Sequence, residues 1–118
     1  DCPTVAIRDL VVRHGEHSVE SGGIEASCDL TVEGVTLYHN RGYNGGAIGV
    51  HATLAMTNST LFENEATVEG GAVYVHPGGA ADIQFSTLRR NAATGSGAQG
   101  SSLFADGSSS SITVSIAT

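Results

Sequence analysis

The chain has 118 residues, with twelve acids, five arginines, five histidines and no lysine, for a net charge of −7. That length bounds it to one domain, 1–118, with a modest core, and its acidic balance argues against a nucleic-acid or anionic-membrane partner. No run approaches the roughly 18–20 apolar residues that cross a bilayer, so no membrane insertion is expected, and the start carries no basic-then-apolar signal peptide; either such a signal has been removed or the chain is a piece of something longer.

From Thr4 onward apolar and polar residues alternate in short runs, the period-2 pattern of strands, and no segment holds a 3.6-residue apolar stripe long enough for a helix. Two words punctuate these runs. A hydrophobic-x-x-Asn word recurs as Leu37-Tyr38-His39-Asn40, Leu61-Phe62-Glu63-Asn64 and Leu88-Arg89-Arg90-Asn91, with a degenerate forerunner at Val12-Arg13-His14-Gly15. A glycine word recurs as Gly22-Gly23-Ile24, Gly45-Gly46-Ala47-Ile48 and Gly70-Gly71-Ala72-Val73. Two unrelated words sharing one period of about 25 residues indicate a solenoid.

Aligned on that period, the inward positions fall into columns. Ile7, Val32, Met56 and Ile83 form one; Val12, Leu37, Leu61 and Leu88 a second; Val5, Leu30, Leu54 and Ala81 a third; and Ile24, Ile48 and Val73 stack on the glycine side. Each coil then reads as three short strands with turns at the glycine pair, at the asparagine and near residues 33–34, 57–58 and 84–85. The fold class is all-β: a single-stranded parallel β-helix of about four coils, each strand pairing with its copy in the next turn. Asn40, Asn64 and Asn91 are corner residues, suited to left-handed backbone geometry and to amide ladders. Gly45, Gly46, Gly70 and Gly71 mark a corner that a side chain would block.

The same alignment sets Pro3 on Cys28 and so Cys2 diagonally beside it. Stacked strands lie about 4.8 Å apart, within disulfide reach. A Cys2–Cys28 bridge is predicted, contributing about 3 kcal/mol and pointing to a secreted or cell-surface protein.

The Gly-Gly-Ala-Ile and hydrophobic-x-x-Asn words resemble the repeats of chlamydial polymorphic outer-membrane proteins and of bacterial right-handed β-helix surface proteins. The resemblance covers about residues 5–105 and implies a right-handed β-helix whose repeats are scaffold. Leu replaces the usual Phe at the first position of the asparagine word, and the translocating barrel domain of such proteins is absent from the sequence.

β-Helices also include polysaccharide lyases and hydrolases, which require a base beside a uronate or paired acids at fixed separation. With no lysine, and with Glu63, Glu65 and Glu69 as the one close group of acids, no catalytic residue is assigned and no cofactor is expected. The histidine columns offer metal-type ligands, His14, His39 and Glu63 at one corner and His51 under His76 at another, but a reliable zinc site needs three or four ligands with closed geometry. No metal is therefore assigned, and His14, His39 and Glu63 stand as the candidates. On the outer surface Tyr38 and Phe62 stack between Arg13 and Arg89, a candidate glycan- or partner-facing surface or a self-satisfying cation-π ladder. Asn58-Ser59-Thr60 is a glycosylation sequon.

Neither end shows a capping element. Residues 107–111 read as a Ser-rich turn or linker and 112–118 as a terminal strand, so the cylinder is completed either by copies stacked end to end, an open assembly and hence a filament, or by further coils of a longer parent chain. The sequence reading is a non-catalytic extracellular structural or adhesive module; the alternative is a carbohydrate-binding or carbohydrate-active β-helix.

Overall fold

Short alternating runs cut by Gly, Asn and Ser favour short strands, and these form throughout. The computed structural model describes residues 2–107 and 109–115, and among them the chain contains no helix. The first coil holds β1 (Val5–Arg8), β2 (Val11–Arg13) and β3 (Ile24–Ala26). The second holds β4 (Leu30–Glu33), β5 (Thr36–Tyr38), β6 (Arg41–Asn44) and β7 (Ile48–Val50). The third repeats this as β8 (Thr53–Thr57), β9 (Thr60–Phe62), β10 (Glu65–Glu69) and β11 (Val73–Val75). The fourth follows with β12 (Ala80–Gln84), β13 (Thr87–Arg89), β14 (Ala92–Ala93) and β15 (Leu103–Ala105), and β16 (Ser111–Ser115) opens another turn.

The pairings between these strands are parallel, each strand lying on its copy one coil away. Four sheets result, β1-β4-β8-β12-β16, β2-β5-β9-β13, β6-β10-β14 and β3-β7-β11-β15, and the chain is a parallel β-solenoid of about four turns. The registers reproduce the expected columns: Val5 on Leu30 on Leu54 on Ala81, then Ile112, and Val12 on Leu37 on Leu61 on Leu88. In the middle coils the inward residues Val32, Leu37, Ile48, Leu54 and Leu61 are fully buried, so the core is a narrow rod running along the axis.

Four strands per coil, rather than the expected three, is the main departure. The extra strand follows the asparagine, and its inward positions are Gly42 and Ala66, both buried. With so little apolar bulk facing inward, the stretch lacks the alternation that marks a strand. A second correction concerns the corner itself. The left-handed residue is the one before each asparagine, and before Gly15 in the first coil: His14, His39, Glu63 and Arg90 have φ of 59°, 56°, 54° and 55°. The asparagines point inward and form the expected amide ladder. Asn40 and Asn64 are 1% exposed, and the Nδ2 of each donates to the Oδ1 of the next, Asn40 to Asn64 at 3.1 Å and Asn64 to Asn91 at 3.0 Å.

At the glycine corner Gly45 and Gly70 take φ of 78° and 65°, while a Cβ on Gly46 or Gly71 would overlap the carbonyl of Gly71 or Ser101 in the next coil. The first-coil word is offset by one: Gly22 N–H donates to Gly45 O as Gly46 N–H does to Gly70 O, so Gly22 matches Gly46, not Gly45. The predicted bridge is present, with the Cα atoms of Cys2 and Cys28 5.4 Å apart. In the Ser-rich stretch, Ser110 is tied to the turn at Gly78. Ser110 Oγ accepts from Gly78 N–H and donates toward His76 O, each at 3.0 Å. Ser108 and residues 116–118 of the expected terminal strand lie outside the described residues.

Candidate functional site

Because parallel stacking repeats each outward position at one strand spacing, like-placed side chains form ladders down the faces. On the β2-β5-β9-β13 sheet the outward column is Arg13, Tyr38, Phe62 and Arg89. The Tyr38 and Phe62 rings stack with centroids 4.9 Å apart and planes 4° from parallel. Arg89 lies 4.6 Å over the far face of Phe62, and Arg13 Nη1 donates to the Tyr38 hydroxyl at 3.0 Å. The ring faces are thus turned along the axis toward one another and toward Arg89, leaving ring edges to solvent. Phe62 has both faces covered, by Tyr38 and by Arg89, and Tyr38 has one covered, by Phe62.

The corner after β5 holds His14, His39 and Glu63, as the period indicated. His39 Nε2 lies 3.1 Å from Glu63 Oε1, and the His14 and His39 rings sit 5.5 Å apart at a 44° tilt. Arg90 approaches the other oxygen of Glu63 at 3.8 Å, and Glu65 pairs with Arg41 at 3.0 Å. Of the three acids Glu63, Glu65 and Glu69, Glu63 lies between His39 and Arg90 and Glu65 against Arg41.

The second histidine corner, after β7 and β11, gathers a residue that the period alone does not single out. His51 and His76 stack face to face, centroids 3.5 Å apart and planes 12° from parallel. Both direct Nε2 at one oxygen of Glu25, each at 2.9 Å. Glu25 sits on β3, one coil before His51 and two before His76, and reaches them because the intervening outward position is Gly49, where a Cβ would overlap the carboxylate. The signal in the sequence is this outward glycine between Glu25 and Tyr74 in one column.

Further along that column Tyr74 is buried, stacks on Phe104 and donates its hydroxyl to Asp106. Burial first, then that hydrogen bond, pushes the Tyr74 phenol above its ordinary range. Glu69 is also raised, by burial and then by the charge of Asp106. A shallow groove of about 530 Å³ lies where the first coil lacks the fourth strand, lined by Glu16, His17, Arg41, Gly42 and Thr67. Asn58, the sequon asparagine, is exposed on a left-handed turn with φ 49°. Comparison with protein-family models, curated proteins and solved structures finds no match to this chain.

Proposed function

We propose that this chain is a non-catalytic structural module of the secreted or cell-surface kind, akin in its repeat words to polymorphic outer-membrane protein repeats, that extends by end-to-end stacking of copies. The observation that carries the reading is the state of the two ends of the described coils. Columns fully buried in the middle come to the surface there: Val5 is 47% exposed against 0% for Leu54 in the same column, and Val114 is 53% against 1% for Ile83. The edge strands at one end are β1, β2, β3 and β6, and at the other β16, β13, β15 and β14. β16 lies one coil beyond β13 and β15 in the winding, so a second copy seats its β1 on β16, with Val5 over Ile112 and Ile7 over Val114. Apolar meets apolar and strand meets parallel strand along this sheet. Such a contact is heterologous and does not close, which is the geometry of a filament. The consumption of the Tyr38, Phe62 and Arg89 column by internal stacking supports a scaffold over a sugar platform.

Sedimentation velocity over a hundredfold or so range of concentration tests it. The size of the wild-type chain is expected to grow with concentration, and Val5→Asp or Val114→Asp is expected to hold it at the monomer while leaving the fold intact by circular dichroism. A wild-type monomer at every concentration, or release of unsaturated uronate from a polysaccharide, would overturn the reading.

A further inference from the structure

We propose that Glu25, His51 and His76 form a zinc-type divalent metal site on the outer face, independent of the end surfaces. Two imidazoles and one carboxylate are a donor set that zinc accepts, with water completing a tetrahedron. Three features make this more than a pair of stacked histidines. Successive coils contribute one ligand each, and the three ligand atoms lie within 4.8 Å of one another. Zinc bonds of 2.0–2.2 Å set neighbouring ligand atoms about 3.3 Å apart in a tetrahedron, so to admit the ion the 2.9 Å contacts from Glu25 Oε2 to both Nε2 atoms open by a few tenths of an ångström and the stacked His51 and His76 rings splay until their Nε2 lone pairs converge.

The carboxylate is also held for the task. Its other oxygen, Oε1, accepts from Ser21 N–H at 3.2 Å and lies 2.8 Å from Ser21 Oγ, whose single proton is shared between it and Ile24 O at 2.6 Å, and Ser21 is itself buried. This is the kind of outer-shell support that orients a metal ligand. The His76 ring is fixed edge-to-face against Tyr74, 4.7 Å away and 89° to it, while the His51 side chain is 43% exposed, leaving an approach for the ion and a place for water. Finally, Gly49 keeps clear the channel through which the carboxylate crosses a coil. The other histidine corner lacks these supports: its carboxylate, Glu63, is engaged by Arg90 and sits 40% exposed.

The test is a titration of the chelator-treated full chain with zinc ion alone, read by calorimetry and by competition with a chromogenic chelator. One equivalent is expected to bind. Glu25→Gln, His51→Ala and His76→Ala should each weaken binding at least about tenfold, and Gly49→Ala, which alters no ligand, should weaken it as well by displacing Glu25. His39→Ala, at the other corner, should leave it unchanged. Thermal unfolding of each variant in chelator confirms that the comparison is between folded proteins. No uptake of zinc, uptake indifferent to Glu25 and His76, or uptake lost on His39→Ala would each overturn the assignment.

Discussion

Replacing Asn64 with alanine removes the middle rung of the inward amide ladder, and the cost can be worked from its bonds. Asn64 Oδ1 accepts from the backbone N–H and the Nδ2 of Asn40, both at 3.1 Å, and Asn64 Nδ2 donates to Leu37 O and Asn91 Oδ1, both at 3.0 Å. Truncation leaves the buried Asn40 N–H without its acceptor, a cost of about 1–3 kcal/mol, and forfeits three further bonds worth about 0.5–1.5 kcal/mol each. Asn40 Nδ2 keeps Val12 O and Asn91 Oδ1 keeps Asn64 N–H, which places the total near 4 kcal/mol, a large share of a domain's usual 5–15 kcal/mol. Asn91 is more exposed, at 7%, and lies in the last complete coil, where water can replace part of what is lost, so Asn91→Ala should cost about half as much. Asn64→Asp should be no better than alanine, because it turns the donor toward Leu37 O and Asn91 Oδ1 into a second acceptor. Guanidinium unfolding at neutral pH, followed by circular dichroism, measures all three. A loss below about 1 kcal/mol for Asn64→Ala, or a larger loss for Asn91→Ala, would refute the ladder as a stabilising element.

Other outcomes follow from single sites. Reducing Cys2–Cys28, or replacing both by serine, should cost about 3–4 kcal/mol for a loop of this length, and the melting temperature of the reduced chain checks it. Phe85 holds φ of 49° although it is bulky and 53% exposed, at a turn position filled in earlier coils by Asp9, Gly34 and Asn58; Phe85→Asn or Phe85→Gly should stabilise by about 1 kcal/mol in the same unfolding assay. Gly46→Ala, which drives a Cβ into the Gly71 carbonyl, should instead prevent folding or lower the melting temperature sharply. Glu69 has its carboxyl pKa raised from the ordinary 4.5 by burial and then by Asp106. The folded state therefore holds that proton more tightly than the unfolded one, so this group's contribution is fully present below pH about 4.5 and is lost as pH rises through the raised value. Glu69→Gln should consequently raise the melting temperature at neutral pH and make little difference in acid.

What the sequence made legible was whatever repeats with bulk. Leu37, Leu61 and Leu88 announce a column because each coil must fill the same interior with the same kind of side chain, and the Cys2–Cys28 bridge followed from the register of that column. The fourth strand was not legible because Gly42 and Ala66 fill a narrow part of the interior, where a larger residue would not fit and alternation therefore vanishes. The asparagines were recognised as corner residues but given the wrong backbone: the left-handed turn falls on His39, Glu63 and Arg90, of which only His39 is of a type enriched there, because the inward amide at the next position holds the corner in place. The Glu25, His51 and His76 group was half legible. Stacking of the histidines follows from the period, whereas the contact from Glu25 to His76 crosses two coils and depends on the missing side chain of Gly49, which no spacing between like words reveals.

The most direct test of the account is fibre diffraction from the concentrated, isolated chain. End-to-end stacking through the β1-to-β16 contact is expected to give rods with a reflection near 4.8 Å along the rod axis, and Val5→Asp is expected to abolish the rods. Rods without that axial spacing, or no ordered rods at any concentration, would contradict it.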